Sequence, residues 1–247
     1  MIRLGIDIGG NSITNALAYS GINDNIGTNS YYFNSVYLGG TGVTNTTSTY
    51  AFNSQVSTNA RAFQNNIFVN NRSFTSAGAF YNAAYYISST PSSGAITGLT
   101  SNYNILYANG TGGIAVRNGS NYYTLRQWRE ANYATNQDYN RCDRDANFTN
   151  ATSDISTTPT TYALKVQGTT PAEASGILIA SVTDDVEGNS RSSLTPTDIG
   201  ADAGDYTASD IFTPTISYTA LGNTSAATNR TLSNVTIADI GTAVPTS

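Results

Sequence analysis

The chain has 247 residues, 11 basic and 16 acidic side chains, no histidine and a formal net charge of −5. Charged residues make up 11% of it, against about 25% in an ordinary globular domain, and its one lysine is Lys165 with the arginines scattered. That leaves no basic patch for a phosphate backbone, so nucleic-acid binding is not expected, and the missing histidine removes zinc hydrolases, Ser-His-Asp triads and Cys-His proteases in their usual forms.

In chain order, the opening RLGIDIGGNSITNALAY (3–19) looks like the phosphate loop of actin-like sugar kinases. Asn11 stands where that loop has threonine, and no second nucleotide-binding segment follows. The competing reading is a solenoid rung with Leu4, Ile6, Ile8 and Ile13 pointing inward and Gly9-Gly10 turning the corner. Strand candidates bounded by Asn or Gly come next: Tyr31–Leu38, Tyr50–Val56, Ala62–Val69, Tyr81–Ile87 and Tyr103–Tyr107. The related segments NSVYL, NNIFV and YNILY recur at steps of about 30 to 40 residues, which suits coils carrying loops. Stacked coils superimpose equivalent side chains, so Asn34, Asn65 or Asn66, and Asn104 are expected to form an amide ladder that satisfies buried turn groups.

Thr124–Tyr133 (TLRQWREANY) is the one helical patch. Thr124 and Gln127 have capping-box spacing, and Leu125, Trp128 and Ala131 share a face. Asn136–Thr161 is polar and irregular, and strands are expected to resume at Tyr162–Val166 and Gly176–Val182. Beyond Asp205 the sequence turns Thr-rich. Strands over 214–239 would be too few to stand alone, since an isolated hairpin is marginal in water.

The most informative stretch is VTDDVEGNSRSSLTPTDIGAD (182–202): an acidic Gly-Asn turn, an arginine, then Asp-Ile-Gly-Ala-Asp. With AFNSQVSTNARAFQNNIFVN (51–70), GLTSNYNILYANGTGG (98–113), TLRQW (124–128) and LKVQGTTPAEASGILIA (164–180) before it, the chain resembles secreted right-handed parallel β-helix surface proteins of the Bacteroidetes type, cargo-like for type IX secretion. The tail resembles the first strands of an immunoglobulin-like module. The resemblance implies an all-β solenoid over residues 1–206, closed by Asp-Ile-Gly-Ala-Asp, with a short β extension over 207–247. It also implies an extracellular or cell-surface location. The opening residues lack the apolar core of a signal peptide, so a secreted form would be a mature piece.

Candidate sites are few. Asp184, Asp185, Glu187, Asp198 and Asp202 could supply oxygens to calcium, while the plainer reading has Arg191 paired with Asp198 or Asp185 to lock the terminal coil. No other cofactor is expected. A lyase would need a base, but Lys165 falls near the end of the solenoid. A hydrolase would need two facing carboxylates, and Asp7, Asp24 and Glu130 are scattered. Cys142 has arginine neighbours, Arg141 and Arg144, that would favour a thiolate, but nothing else accompanies it. Tyrosine pairs at 31–32, 85–86 and 122–123 should place one ring in and one out, and outward rings can stack on sugars or on another subunit.

The expected function is a non-enzymatic cell-surface structural or adhesive protein that self-assembles head-to-tail. Its partners would be other copies of itself and surface glycans, without membrane insertion. Ile216, Tyr218, Leu232, Val235 and Ile237 are the expected apolar contacts of donated tail strands. The alternative is a carbohydrate-active β-helix enzyme of polysaccharide lyase type, or a glycan-binding module.

Overall fold

The computed structural model describes residues 1–88, 96–131, 138, 141–155, 163–194, 196–209, 215–218 and 235–238. They form two units, Met1–Ser209 and Asp210–Ser247. The first is a parallel β-solenoid of about three turns with almost no helix. Its coils run through three parallel sheets. Sheet A stacks β1 (Ile2–Leu4), β4 (Ser35–Leu38), β7 (Ile67–Asn70), β10 (Asn104–Tyr107) and β13 (Arg141–Cys142). A second sheet, C, stacks β2 (Ser20–Asp24), β5 (Thr49–Ser54), β8 (Asn82–Ile87) and β11 (Gly113–Asn118), with β12 (Asn121–Tyr123) antiparallel on the last. The third, D, stacks β3 (Ser30–Tyr32), β6 (Arg61–Gln64) and β9 (Leu99–Asn102).

Register places like on like. Val36 lies beside Phe68, and Phe52 beside Tyr85. The interior is correspondingly aromatic: the Phe52 ring is 4.9 Å from Phe68, 4.6 Å from Phe63 and 5.2 Å from Tyr31. Each such ring, once buried, contributes about 1.5–3 kcal/mol, so the stacked core carries the fold.

The segments Tyr31–Leu38 and Ala62–Val69, expected as single strands, are each two strands around a corner. Phe33, Asn65 and Tyr103 occupy the left-handed region at φ 54°, 58° and 56°, the chain turning there from sheet D into sheet A. For a bulky residue that conformation costs about 1–2 kcal/mol. The residue after each corner offsets the cost. Asn34 donates its side chain to Asn66 Oδ1 at 3.0 Å, and Asn66 donates to Asn104 Oδ1 at 3.0 Å. The expected ladder is therefore present, through Asn66. It ends on the fully buried Asp138, which accepts from Asn104 Nδ2, Ser101 Oγ and Trp128 Nε1.

Helix α1 (Leu125–Ala131) closes this end of the solenoid. Thr124 N–H donates to Gln127 Oε1 at 2.9 Å and Gln127 N–H returns to Thr124 Oγ1, completing the capping box. Leu125 and Trp128 are buried in the core, while the side chain of Ala131 lies outside the described residues.

At the other end, β1 stops at Leu4 and the chain forms a small hairpin through an Ile6–Ser12 bridge. Ile8 sits at its tip and is 66% exposed rather than inward, because Gly5, at φ 77°, ends the strand before the alternation reaches it.

Two further expectations change. Gly176–Val182 is not a strand, since Asn65 occupies both the N–H and the carbonyl of Ile177 with its own amide. Of Tyr162–Val166, the described part makes one isolated bridge, Val166 to Phe148. Within the first unit, β15 (Thr207–Ala208) pairs in parallel with β14 (Thr169–Thr170) as a separate two-stranded sheet. In the second unit, β16 (Thr215–Tyr218) and β17 (Val235–Ala238) pair antiparallel.

Candidate functional site

The three central strands of sheet A carry apolar runs, Val36–Leu38, Ile67–Val69 and Ile105–Tyr107, which implies burial on both faces. Val36, Leu38, Phe68 and Leu106 belong to the interior cluster. The opposite face is covered by the chain after Cys142. Phe148 packs edge-on against Tyr37, Ile177 is held by Asn65, and Ala201 N–H donates to Ser35 Oγ at 2.9 Å. Gly200 adopts φ +99°, and a Cβ there would lie 2.5 Å from Ile67 Cδ1. Asp-Ile-Gly-Ala-Asp therefore does not seal the last coil. It lies over the middle rungs of sheet A, beside Ser35 of β4 and Ile67 of β7, where only glycine allows the approach to Ile67.

Arg191 holds that cover in place. Its guanidinium sits 4.1 Å over the Phe33 ring. Nη2 donates to the carbonyls of Gly200 and Ala201 at 2.8 and 3.1 Å, and Nε to that of Asp184. The expected ion pair with Asp198 or Asp185 is not formed. Among the described residues the ion pairs are Arg126–Glu130 and Lys165–Glu187. Asp198 instead accepts the backbone N–H groups of Ala174 and Gly204 at 2.9 Å each, and Asp185 accepts those of Glu187 and Asn189 at 2.8 Å. Carbonyls also hold two other buried arginines. Arg61 binds those of Asn59 and Thr97, and Arg72 those of Gly39 and Asn15. These cations are spent on chain corners, not presented to an anion.

Of the calcium candidates, Asp185, Glu187 and Asp202 each bring a carboxylate oxygen within 4.8 Å of the others. Asp184 and Asp198 do not join them, since Asp198 is turned to backbone donors. A cation already serves this group: Lys165 Nζ lies 2.6 Å from Glu187 Oε2. That bond raises the Lys165 pKa, which keeps the ammonium protonated and unsuited to act as a base.

Beside the cluster, burial lifts the Glu173 carboxyl from 4.5 to about 7, against the opposing N–H of Tyr206. Burial also raises Asp198, which shares a hydrogen bond with Glu173. A carboxyl whose folded pKa exceeds its unfolded one binds protons more tightly when folded. Stability is then full below about 4.5 and is lost as pH rises through about 7. Thermal unfolding followed by circular dichroism should show a melting temperature that falls between pH 5 and about 7.5 and then levels. Glu173→Gln should flatten that slope, and an unchanged slope in the variant would assign the effect elsewhere.

The remaining nominated groups are scattered or sealed. Asp24 is buried under Asn29, Ser54 and Tyr31 donors. Glu130 is exposed on α1, paired with Arg126. Asp7 accepts from Asn11 within its hairpin. The neighbouring Gly10 is closed over by residues 152–154, so that a Cβ would stand 2.8 Å from Asp154 N. This leaves no phosphate cradle there. Burial raises Cys142 to about 12, so its thiol stays protonated despite nearby arginine. In the tail, Ile216 pairs with Ile237 and Tyr218 with Val235. Leu232 lies outside the described residues.

One feature had no single sequence signature. At the α1 end, residues from β10, β11, β12, the first turn of α1 and Asp143 line a cleft of about 360 Å³. Leu106 and Leu125 are its buried apolar members, and Tyr107, Tyr122 and Tyr123 its aromatic ones. Gln127 and Asp143 add exposed polar groups. Tyr123 stands edge-on to Trp128 with centroids 5.6 Å apart, and Tyr122 lies on Tyr81 at 4.1 Å.

No protein-family model, curated protein or solved structure matches the chain. Among the described residues no helix is long and apolar enough to cross a membrane.

Proposed function

We propose that this protein is a non-enzymatic structural or adhesive component of a cell surface, associating head-to-tail through donated tail strands. The observation that carries the reading is the N-terminal end of the solenoid. β2 and β3 stand at the edges of their sheets, with a strand partner on one side only among the described residues. Leu17 and Ile26 are exposed in the same coil, Ile26 by 82%. Open strand edges beside apolar side chains are templates for added strands. The antiparallel pair β16–β17 is a donor of the right kind, since two strands by themselves are marginal in water. A contact between unlike surfaces that does not close on itself propagates as a filament.

The likeness of 182–202 to the Bacteroidetes-type β-helix proteins, and of the tail to an opening immunoglobulin-like module, supports an extracellular setting. The protonated Lys165 and the separated Asp7, Asp24 and Glu130 weigh against a lyase or hydrolase.

Light scattering and negative-stain electron microscopy of the full chain should reveal polymers that lengthen with concentration. Removing residues 210–247, or introducing Ile26→Lys in the full chain, should leave monomers. Filaments unchanged by both alterations, or a full chain monomeric at high concentration, would refute the proposal.

A further inference from the structure

The cleft at the α1 end points to a ligand that self-association does not explain. A cleft of about 360 Å³ is at the lower end of the ~300–1,000 Å³ range of small-molecule sites, too small for a segment of a second copy. The antiparallel β12 also pairs with Val116–Asn118 at the edge of sheet C, so a parallel coil of another molecule cannot continue that sheet along its whole length. The occupant is therefore small, and the lining chemistry describes it.

Tyr122 lies opposite Arg117 and turns to the outer face of the sheet, against Tyr81 and under that guanidinium, whereas Tyr107 and Tyr123 offer ring surface beside the apolar side chains of Leu106 and Leu125. Such rings suit the C–H faces of a pyranose. Gln127 Oε1 is engaged by Thr124 in the capping box, which orients the side chain and leaves its amide nitrogen as a donor. Asp143 brings a carboxyl group to the lining, able to accept strong hydrogen bonds from paired hydroxyls. Among its described lining residues the cleft has a carboxylate and no cation, which disfavours uronates, sulfates and phosphates.

We propose that the cleft binds a neutral hexose unit of an oligosaccharide, with the tyrosines stacking on the ring and Asp143 and Gln127 reading its hydroxyls. The inference is independent of the self-association reading and is tested on dilute full-length protein.

The single tryptophan supplies the readout, because Trp128 touches Tyr123 from inside. Its emission should change saturably with maltohexaose, cellohexaose or chitohexaose, and not with oligogalacturonate. Tyr107→Ala should weaken binding roughly tenfold and Asp143→Asn several-fold, with circular dichroism unchanged. Tyr32→Ala, on another part of the solenoid, should bind as the parent does. If Tyr107→Ala fails to fold, the exposed Asp143→Asn still decides the matter. The proposal falls if no neutral hexaose gives a saturable change, if the acidic oligomer binds better, or if Asp143→Asn binds every sugar as the parent does. An emission change that follows protein concentration instead of sugar would assign the cleft to another copy and also overturn it.

Discussion

Asn66→Ala is expected to lower the folding stability of the solenoid by about 3–4 kcal/mol, well beyond the cost of Asn34→Ala. The Asn66 carboxamide serves both neighbours. Its Oδ1 accepts from the Asn34 backbone N–H and side chain, both at 3.0 Å. Its Nδ2 donates to Tyr31 O at 2.9 Å and Asn104 Oδ1 at 3.0 Å. Alanine strands the Asn34 N–H and the Tyr31 carbonyl inside the corner, each at about 1–3 kcal/mol. The left-handed Phe33 and Asn65 then lose the contacts that offset their strain. Asn34, at the open end and only partly buried, serves one neighbour, so Asn34→Ala should cost about 1 kcal/mol. Equilibrium urea unfolding would measure both. A loss below about 1 kcal/mol for Asn66→Ala would mean that the ladder reports the stacking without stabilising it.

The ladder was legible because stacking repeats one chemical need at one corner, so asparagine recurs wherever the coil returns, 32 and then 38 residues on. The capping box of α1 was legible for a similar reason: Thr124 and Gln127 satisfy each other within one turn. The corners themselves were not. Alternation of inward and outward side chains continues through a single left-handed residue, so YYFNSVYL reads as one strand although Phe33 divides it. Gly176–Val182 is apolar enough to suggest a strand, yet the side chain of Asn65, distant in sequence, takes the Ile177 backbone groups a ladder would need.

The cover on sheet A was hidden in the same way. Continuous apolar strands announce that both faces are buried, but not which segment supplies the second face. The cleft escaped because β10, β11, β12, α1 and Asp143 contribute to it from separate places, and none of them alone has the pattern of a site.

The reading of Arg191 shows where charge counting misleads, and it gives the second large effect. A sequence with Asp184, Asp185, Asp198 and Asp202 around one arginine suggests an ion pair, but burial favours whichever acceptors are fixed in the fold. Here they are the Gly200 and Ala201 carbonyls, with the Phe33 ring against the guanidinium face. Arg191→Met fills similar volume but leaves those carbonyls without their donor, and should destabilise the cover by about 3 kcal/mol. The loss should be local. Amide hydrogen exchange is expected to accelerate at Ile177, Gly200 and Ala201, whose N–H groups bond Asn65 and Ser35. The β5–β8–β11 ladder should stay protected, because its bonds lie within sheet C. Arg191→Lys separates charge from geometry. An ammonium keeps the charge but lacks the planar face for Phe33 and the fork for three carbonyls, so it should recover less than half of the lost protection. Full recovery with lysine would restore the electrostatic lock, and uniform loss across all coils would mean that cover and solenoid unfold as one unit.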